Sequence, residues 1–129
     1  MGNQQTVRRA SCACGQLRVE CSGEPVSVSL CNCLDCQRRT GSAFGIAAFY
    51  ARGRVRAAGE QSAFRRTSEQ GFDFSFFFCP TCGSTVYWET TRKPDHVAVA
   101  AGAFADPGFP SPTRSHFDEQ RHPWLDFSL

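Results

Sequence analysis

The chain has 129 residues, a formal net charge of +2 and eight cysteines. This length is typical of one domain, the charge is too small to favour a nucleic-acid or membrane partner, and no apolar run approaches the roughly 18 residues of a membrane span. We therefore expect one soluble domain, with a flexible N-terminus at residues 1–9 and a folded part at residues 10–129. The sequence does not indicate an oligomeric state.

Residues 1–9 contain no apolar stretch of the kind that forms a secretory signal. We therefore expect a cytoplasmic protein. Eight cysteines could form a disulfide scaffold in a secreted chain, but in a reducing compartment clustered cysteines more often hold metal. The cysteines are therefore candidate metal ligands.

The first two predicted strands both lie close to cysteines. Apolar and polar residues alternate at residues 17–21 and again at residues 26–30, which is the pattern of half-buried strands. Cys12 and Cys14 precede the first strand, and Cys21 lies on its apolar face, where we expect a small core residue. The second strand leads directly into Cys31.

Three cysteines follow within six residues, at Cys31, Cys33 and Cys36. On an extended backbone Cys31 and Cys33 project to the same side and Asn32 points away, and a turn starting at Leu34 returns Cys36 to the same point. Structural zinc normally has four protein ligands, whereas catalytic zinc keeps one position open. The spacing therefore predicts an open zinc site, unless a fourth ligand closes it, for which the candidates are Cys21, His116 and His122.

Beyond this triad, residues 35–39 are predicted to form a helical turn that ends at Gly41, and residues 44–50 a strand. Arg52, Arg54 and Arg56 are then predicted to share one face of a strand. We interpret that face as solvated rather than as a nucleic-acid stripe, because the chain is not strongly basic. A further strand is predicted at residues 64–67.

The most apolar segment, residues 72–78, is predicted to be a core strand that ends in a zinc knuckle at residues 79–83. Gly83 suits the positive φ of such a turn. Strands are also predicted at residues 85–89 and 96–103, and the tail, including Phe127, is predicted to pack over the body as irregular structure. With no helix longer than about two turns, the fold class is mainly β, a single domain of antiparallel sheets joined by zinc.

Two cysteine pairs remain outside the triad, Cys12 with Cys14 and Cys79 with Cys82. Together they provide the four ligands of a structural zinc, which can supply on the order of 10 kcal/mol of folding free energy. Two alternatives stay open at this point. The triad could instead combine with one outside cysteine, or the pairs could be buried thiols without metal.

The motifs resemble the glutathione-dependent formaldehyde-activating enzyme family, whose domain is shared with centromere protein V. The resemblance covers about residues 10–127 and rests on these segments: residues 12–15, residues 31–42, residues 78–84, Gly102 with Asp106 and Pro107, and the closing His116, Pro123 and Trp124. It implies coiled β-sheets and two zinc ions, a structural one on Cys12, Cys14, Cys79 and Cys82 and a catalytic one on Cys31, Cys33 and Cys36. It also implies reversible joining of glutathione and formaldehyde into S-hydroxymethylglutathione, a carbon–sulfur lyase type of activity.

Three features depart from the family pattern. Asn32 occupies a position where the family usually has histidine, residues 104–106 replace a more acidic stretch, and the ending differs. These departures concern the identity of the substrate more than the zinc.

Substrate binding is assigned to five residues. Arg38 and Arg39 are predicted to bind the carboxylates of a glutathione-like thiol, with surface salt bridges as the alternative, and the other candidates are Ser42, Phe44 and Trp124. The competing interpretation of the whole chain is a zinc-stabilised module that binds protein or nucleic acid and catalyses no reaction.

Overall fold

The computed structural model describes residues 6–126, which form two β-sheets and one α-helix. The prediction of a mainly β fold with little helix is confirmed. The elements in chain order are β1 Val7–Ser11, β2 Arg18–Ser22, β3 Ser27–Cys31, α1 Leu34–Thr40, β4 Gly45–Ala51, β5 Val55–Ala58, β6 Ser62–Thr67, β7 Asp73–Phe78, β8 Thr85–Thr90, β9 His96–Ala100 and β10 Arg114–His116. Short 3₁₀ helices occur at Arg52–Arg54, Ala101–Phe104 and Asp118–Gln120. Within residues 6–126 no helix has the length and apolar character needed to cross a membrane.

The larger sheet has seven strands in the order β10-β3-β4-β9-β8-β7-β6, and the smaller has three in the order β1-β2-β5. Neighbouring strands are antiparallel except for β10, which pairs in parallel with β3. The parallel pair places His116 opposite Cys31. A segment predicted as irregular tail thus lies directly against the strand that delivers the triad.

The main core includes apolar side chains from both sheets. Leu17, Val19, Tyr50, Val86 and Val99 are all fully buried in it. Cys21 belongs to the same cluster and has no exposed surface, as the alternation at residues 17–21 predicts. This core leaves the other face of the larger sheet with a separate set of side chains.

That other face, which we call the aromatic face, carries Phe74, Phe76 and Trp88 on β7 and β8, and Ala98, Ala47 and Phe49 on the next two strands. Residues directly opposite each other in a sheet share a face, so Cys31 and Gly45, opposite each other on β3 and β4, lie on this face too. The triad and the aromatic side chains are therefore on one side of the sheet.

Some segments differ from the elements predicted for them. Residues 7–9, predicted to belong to a flexible N-terminus, lie in β1, where Arg8 forms an ion pair with Glu24. Arg52 and Arg54 lie in a 3₁₀ helix rather than on a strand face, because Arg52 turns back to bond the carbonyl of Pro94 and the carboxylate of Glu89. β9 ends at Ala100 rather than at residue 103, and a 3₁₀ helix begins at Ala101. Residues 1–5, the rest of the predicted flexible N-terminus, and Phe127 lie outside the described residues.

Candidate active site

Cys12, Cys14, Cys79 and Cys82 converge from two loops that are more than sixty residues apart in sequence, and their sulfur atoms all lie within 4.8 Å of one another. The Sγ atoms of Cys12 and Cys14 are 3.6 Å apart, and those of Cys14 and Cys79 are 3.7 Å apart. Zinc–sulfur bonds of about 2.3 Å at tetrahedral angles require sulfur separations of about 3.8 Å. The four thiols therefore fit a tetrahedral metal ion.

The loops that hold these four cysteines direct N–H groups at the sulfurs. The backbone N–H groups of Thr81 and Cys82 lie 3.3 and 3.4 Å from the Sγ of Cys79, and the side-chain amide of Gln16 lies 3.1 Å from it. Gly83 has the predicted positive φ, 82°, and its N–H donates to the carbonyl of Cys79. Such donors stabilise thiolates, which are the form that binds metal.

The second cluster is formed where β3 ends and α1 begins, and the sulfurs of Cys31, Cys33 and Cys36 lie within 4.8 Å of one another. Cys31 is the last residue of β3, and Cys33 caps the N-terminus of α1, its sulfur accepting the N–H of Cys36 at 3.3 Å. All three thiols are half-buried. The strand-to-helix turn thus brings three metal-binding groups together, as the spacing predicts.

The three thiols influence one another's ionisation. Hydrogen bonds with Cys31 and Cys36 hold the pKa of Cys33 well below its ordinary value. Hydrogen bonds with Cys33 and Cys36, together with burial, raise the pKa of Cys31. The pKa of Cys36 rises on balance: its hydrogen bond with Cys31 lowers it, while the bond with Cys33 and burial raise it, and the positive charge of Arg39 opposes the rise. Arg39 is therefore close enough to the triad to stabilise negative charge there.

Two arginines that follow each other in α1 have different surroundings. Arg38 is 76% exposed and forms an ion pair with Asp35 at 3.5 Å. Arg39 lies over the aromatic face, with its guanidinium carbon 4.2 Å from the ring centroid of Trp88 and 5.5 Å from that of Phe76. Of the two predicted carboxylate-binding residues, Arg39 is held in place and Arg38 is on the surface.

A cleft of about 490 Å³ separates the end of α1 from the knuckle loop. Its lining residues are Arg39, Thr40, Phe44, Gly45, Ile46, Cys82, Gly83, Ser84, Thr85, Ala100, Ala101 and Gly102. Gly45 marks the boundary between the cleft and the triad, because a Cβ atom at this position would lie 3.5 Å from the Cβ of Cys36. The cleft therefore reaches from one cysteine cluster towards the other.

The remaining predicted substrate residues differ in position. Phe44 lines the cleft, whereas Ser42 is exposed outside it and donates its N–H to the hydroxyl of Thr40. Trp124 is 72% exposed and contacts the ring of His122, with centroids 5.1 Å apart. The structure thus brings Arg39 and Phe44 to the cleft and leaves Arg38, Ser42 and Trp124 outside its lining.

Histidines and Cys21 do not complete the triad. Among residues 6–126, no fourth cysteine, histidine or carboxylate lies within 4.8 Å of all three triad sulfurs. His122 instead shares a hydrogen bond of 2.9 Å with the side-chain oxygen of Gln37. His116 faces Arg92 and Arg114, whose charges, after burial, lower its pKa.

The sequence interpretation missed the residues that fasten the triad turn to the tail. The side-chain N–H₂ of Asn32 lies within hydrogen-bonding distance of Ser115, the carbonyl of His116 and Asp118, so it faces the tail as predicted for a residue pointing away from the metal. Gln37 donates to the carbonyls of Asn32 and Gln120. Polar residues in a proline-rich tail gave no periodic signal that could have revealed these contacts.

A comparison of the chain with protein-family models identifies its family. The model described as glutathione-dependent formaldehyde-activating enzyme matches residues 7–124. The chain belongs to the glutathione-dependent formaldehyde-activating enzyme family. Membership connects it with glutathione-related formaldehyde activation, and the two cysteine clusters of this family member are placed to bind metal.

A solved structure supports the fold of this family member independently. A crystal structure of a Rhodobacter sphaeroides protein matches it with a TM-score of 0.62 and 19% identity, covering 83% of this chain and 98% of that one. At this identity the similarity concerns the fold alone. No curated protein gives a significant match.

Proposed function

We propose that this chain is a zinc-dependent carbon–sulfur lyase type enzyme, which makes or breaks an S-hydroxymethyl adduct of glutathione or a related small thiol in the cytoplasm. The observation that carries the proposal is the triad of Cys31, Cys33 and Cys36, which lacks a fourth protein ligand within residues 6–126. Cys12, Cys14, Cys79 and Cys82 would hold a second zinc ion with a structural role. Family membership supports the same chemistry.

In the forward direction the thiol sulfur forms a bond to the carbonyl carbon of formaldehyde, the thiol proton leaves the sulfur, and a proton is added to the carbonyl oxygen. The reverse direction breaks the carbon–sulfur bond and returns the proton to sulfur. A free thiol is only a few per cent thiolate at neutral pH. Zinc held by Cys31, Cys33 and Cys36 would supply Lewis acidity that favours the thiolate form of the substrate.

Charge is the main difficulty for such a site, because three thiolates outweigh the charge of one zinc ion. Arg39 can offset this negative charge, since its guanidinium acts on Cys36 and has no carboxylate within 4.0 Å among residues 6–126. Its guanidinium can therefore balance the triad and bind a substrate carboxylate. Phe44 and the polar side chains of Ser84 and Thr85 would line the position of the substrate in the cleft.

The proposal is tested by comparing the wild-type chain with Cys33→Ser. We expect about two zinc ions per wild-type chain, and a folded variant that retains the structural ion and loses turnover of S-hydroxymethylglutathione. Full turnover by a variant that has lost the triad zinc would refute the assignment. A wild-type chain with two zinc ions and no turnover on a panel of thiols and aldehydes would instead favour the non-catalytic binding module.

A further inference from the structure

Three cationic side chains converge beside the aromatic face. Arg92 and Lys93 lie in the turn between β8 and β9, and Arg114 is the first residue of β10. Within residues 6–126, none of them has a carboxylate oxygen within 4.0 Å. The Lys93 ammonium lies 4.0 Å from the ring centroid of Phe49, which fixes its position on the sheet. Burial, and then the charges of Arg92 and Arg114, lower the pKa of Lys93, so the three cations are near neighbours.

The strand register relates this cluster to the triad. Arg114 lies opposite Ser29, two residues before Cys31 on β3, which is a distance of about 7 Å along the strand. Phe49, below Lys93, lies opposite Ser27, which is roughly 13 Å from Cys31 along the strand. An extended tripeptide spans about 10 Å. A thiol peptide with its sulfur at the triad can therefore extend towards the three cations.

The residues between the triad and the cluster suit such a tail. Ser29, Ala47 and Ala100 lie opposite one another across three adjacent strands on this face and have small side chains. Like charges held close together raise the free energy of the folded protein, and an anion that binds among them relieves that repulsion. Arginine is also well suited to bind carboxylates through two parallel hydrogen bonds.

We propose that Arg92, Lys93 and Arg114 form a carboxylate-binding site that selects thiol substrates with an anionic peptide-like tail. This inference rests on the proposed function, because the triad defines where the substrate sulfur lies. Arg39 then binds one of the two substrate carboxylates, and the three cations bind the other. Uncharged thiols of similar size are poor substrates on this assignment.

The test measures binding of S-methylglutathione to the zinc-loaded protein by isothermal titration calorimetry. This compound retains both carboxylates and has no free thiol, so its binding does not require turnover. The double variant Lys93→Gln/Arg114→Gln is expected to bind it at least about tenfold more weakly than the wild type, because each cation contributes a charged hydrogen bond. The matched control is Arg56→Gln/Arg65→Gln, which removes the same charge from exposed strand positions elsewhere. Equal affinities of the two double variants would overturn the site.

A second measurement separates this site from the proposed reaction. One outcome is that the Lys93→Gln/Arg114→Gln variant binds S-methylglutathione more weakly than the control variant does, while the wild type turns over no thiol adduct. This outcome would support the site and refute the reaction. Turnover of S-hydroxymethylglutathione with the same kcat/KM in the wild type and in that variant would support the reaction and overturn the site. In the expected result the variant raises KM for glutathione adducts and leaves KM for the adduct of 2-mercaptoethanol unchanged.

Discussion

The guanidinium carbon of Arg39 lies 4.2 Å from the ring centroid of Trp88, so an aromatic ring rather than a carboxylate fixes this cation beside the triad. An aromatic ring attracts a cation through its quadrupole without neutralising the charge. Arg39 therefore retains a full positive charge for an anionic substrate or for the thiolates of the triad. Arg38, its neighbour in sequence, pairs instead with Asp35 at the surface.

Replacing Arg39 with glutamine should lower kcat/KM for S-hydroxymethylglutathione about ten- to a hundredfold, because a charged hydrogen bond contributes about 1.5–3 kcal/mol. Zinc content should remain unchanged, since no thiol is removed. Steady-state turnover and metal analysis check both expectations. The matched control is Arg38→Gln, whose exposed ion pair predicts a change of less than about twofold. Equal losses in the two variants would contradict the assignment of Arg39.

Gly45→Ala should reproduce part of the loss of kcat/KM expected for Arg39→Gln, although no charged residue is replaced. The added Cβ would lie 2.7 Å from the Nη2 atom of Arg39, so the guanidinium must move. The fold should tolerate the change, because the displaced group is the end of a flexible side chain. The loss in free energy of unfolding should be about 1 kcal/mol. Gly53→Ala, where the added atom meets nothing within 4 Å, is the control. Unchanged turnover in Gly45→Ala would show that the position of Arg39 does not matter.

Loss of the structural site should cost far more stability than loss of a buried thiol. Cys79→Ser removes one of four converging sulfurs, and a structural zinc contributes on the order of 10 kcal/mol, which is comparable to the whole stability of a domain. We expect this variant to be unfolded at 37 °C or to melt far below the wild type. Cys21→Ala removes an equally buried sulfur that belongs to neither cluster and should cost about 1 kcal/mol. Circular dichroism and zinc analysis distinguish the two results.

Local patterns in the sequence were sufficient to predict most of the strands and the triad turn. The alternation at residues 17–21 depends only on side-chain direction, and Cys31, Cys33 and Cys36 meet because one strand end and one helical turn bring them together. The convergence of Cys12 and Cys14 with the distant knuckle is also found, although spacing alone left a mixed arrangement open. Short-range geometry and a strong metal-ligand pattern therefore account for most of the correct prediction.

What could not be predicted depends on contacts between distant segments. β10 has three residues, too few for a periodic signal, and its parallel pairing with β3 depends on hydrogen bonds to the triad turn. The different roles of Arg38 and Arg39 depend on which of them lies over Trp88, a residue about fifty positions further along the chain. Adjacent arginines have the same chemistry in a sequence, and only the packing of α1 on the sheet distinguishes them.

We expect the side-chain hydrogen bonds of Asn32 to hold the tail against the triad turn. Its N–H₂ group lies 3.0 Å from the carbonyl of His116 and 3.3 Å from Asp118. Asn32→Ala should lose about 1–3 kcal/mol of stability and increase hydrogen exchange in residues 114–120. Asn32→Asp should be worse at neutral pH, because it removes both donors and places a second carboxylate beside Asp118. Equal exchange rates in the wild type and both variants would contradict this role.

The buried thiol of Cys21 predicts a pH dependence at the alkaline end of the stability curve. Burial raises the pKa of Cys21 to about 12, from an ordinary value of about 9. Between these values the folded chain keeps the proton and the unfolded chain loses it, so stability falls as the pH rises, by about 1.4 kcal/mol per pH unit at most. Its contribution is fully present below about pH 9.

Urea unfolding of the wild type and of Cys21→Ala at matched pH should give free energies of unfolding that differ by a constant below about pH 9. Above it the wild type should lose stability faster, because the variant has no thiol to ionise at this position while its other titrating groups are the same. Curves that remain parallel up to about pH 11 would show that Cys21 ionises equally easily in both states.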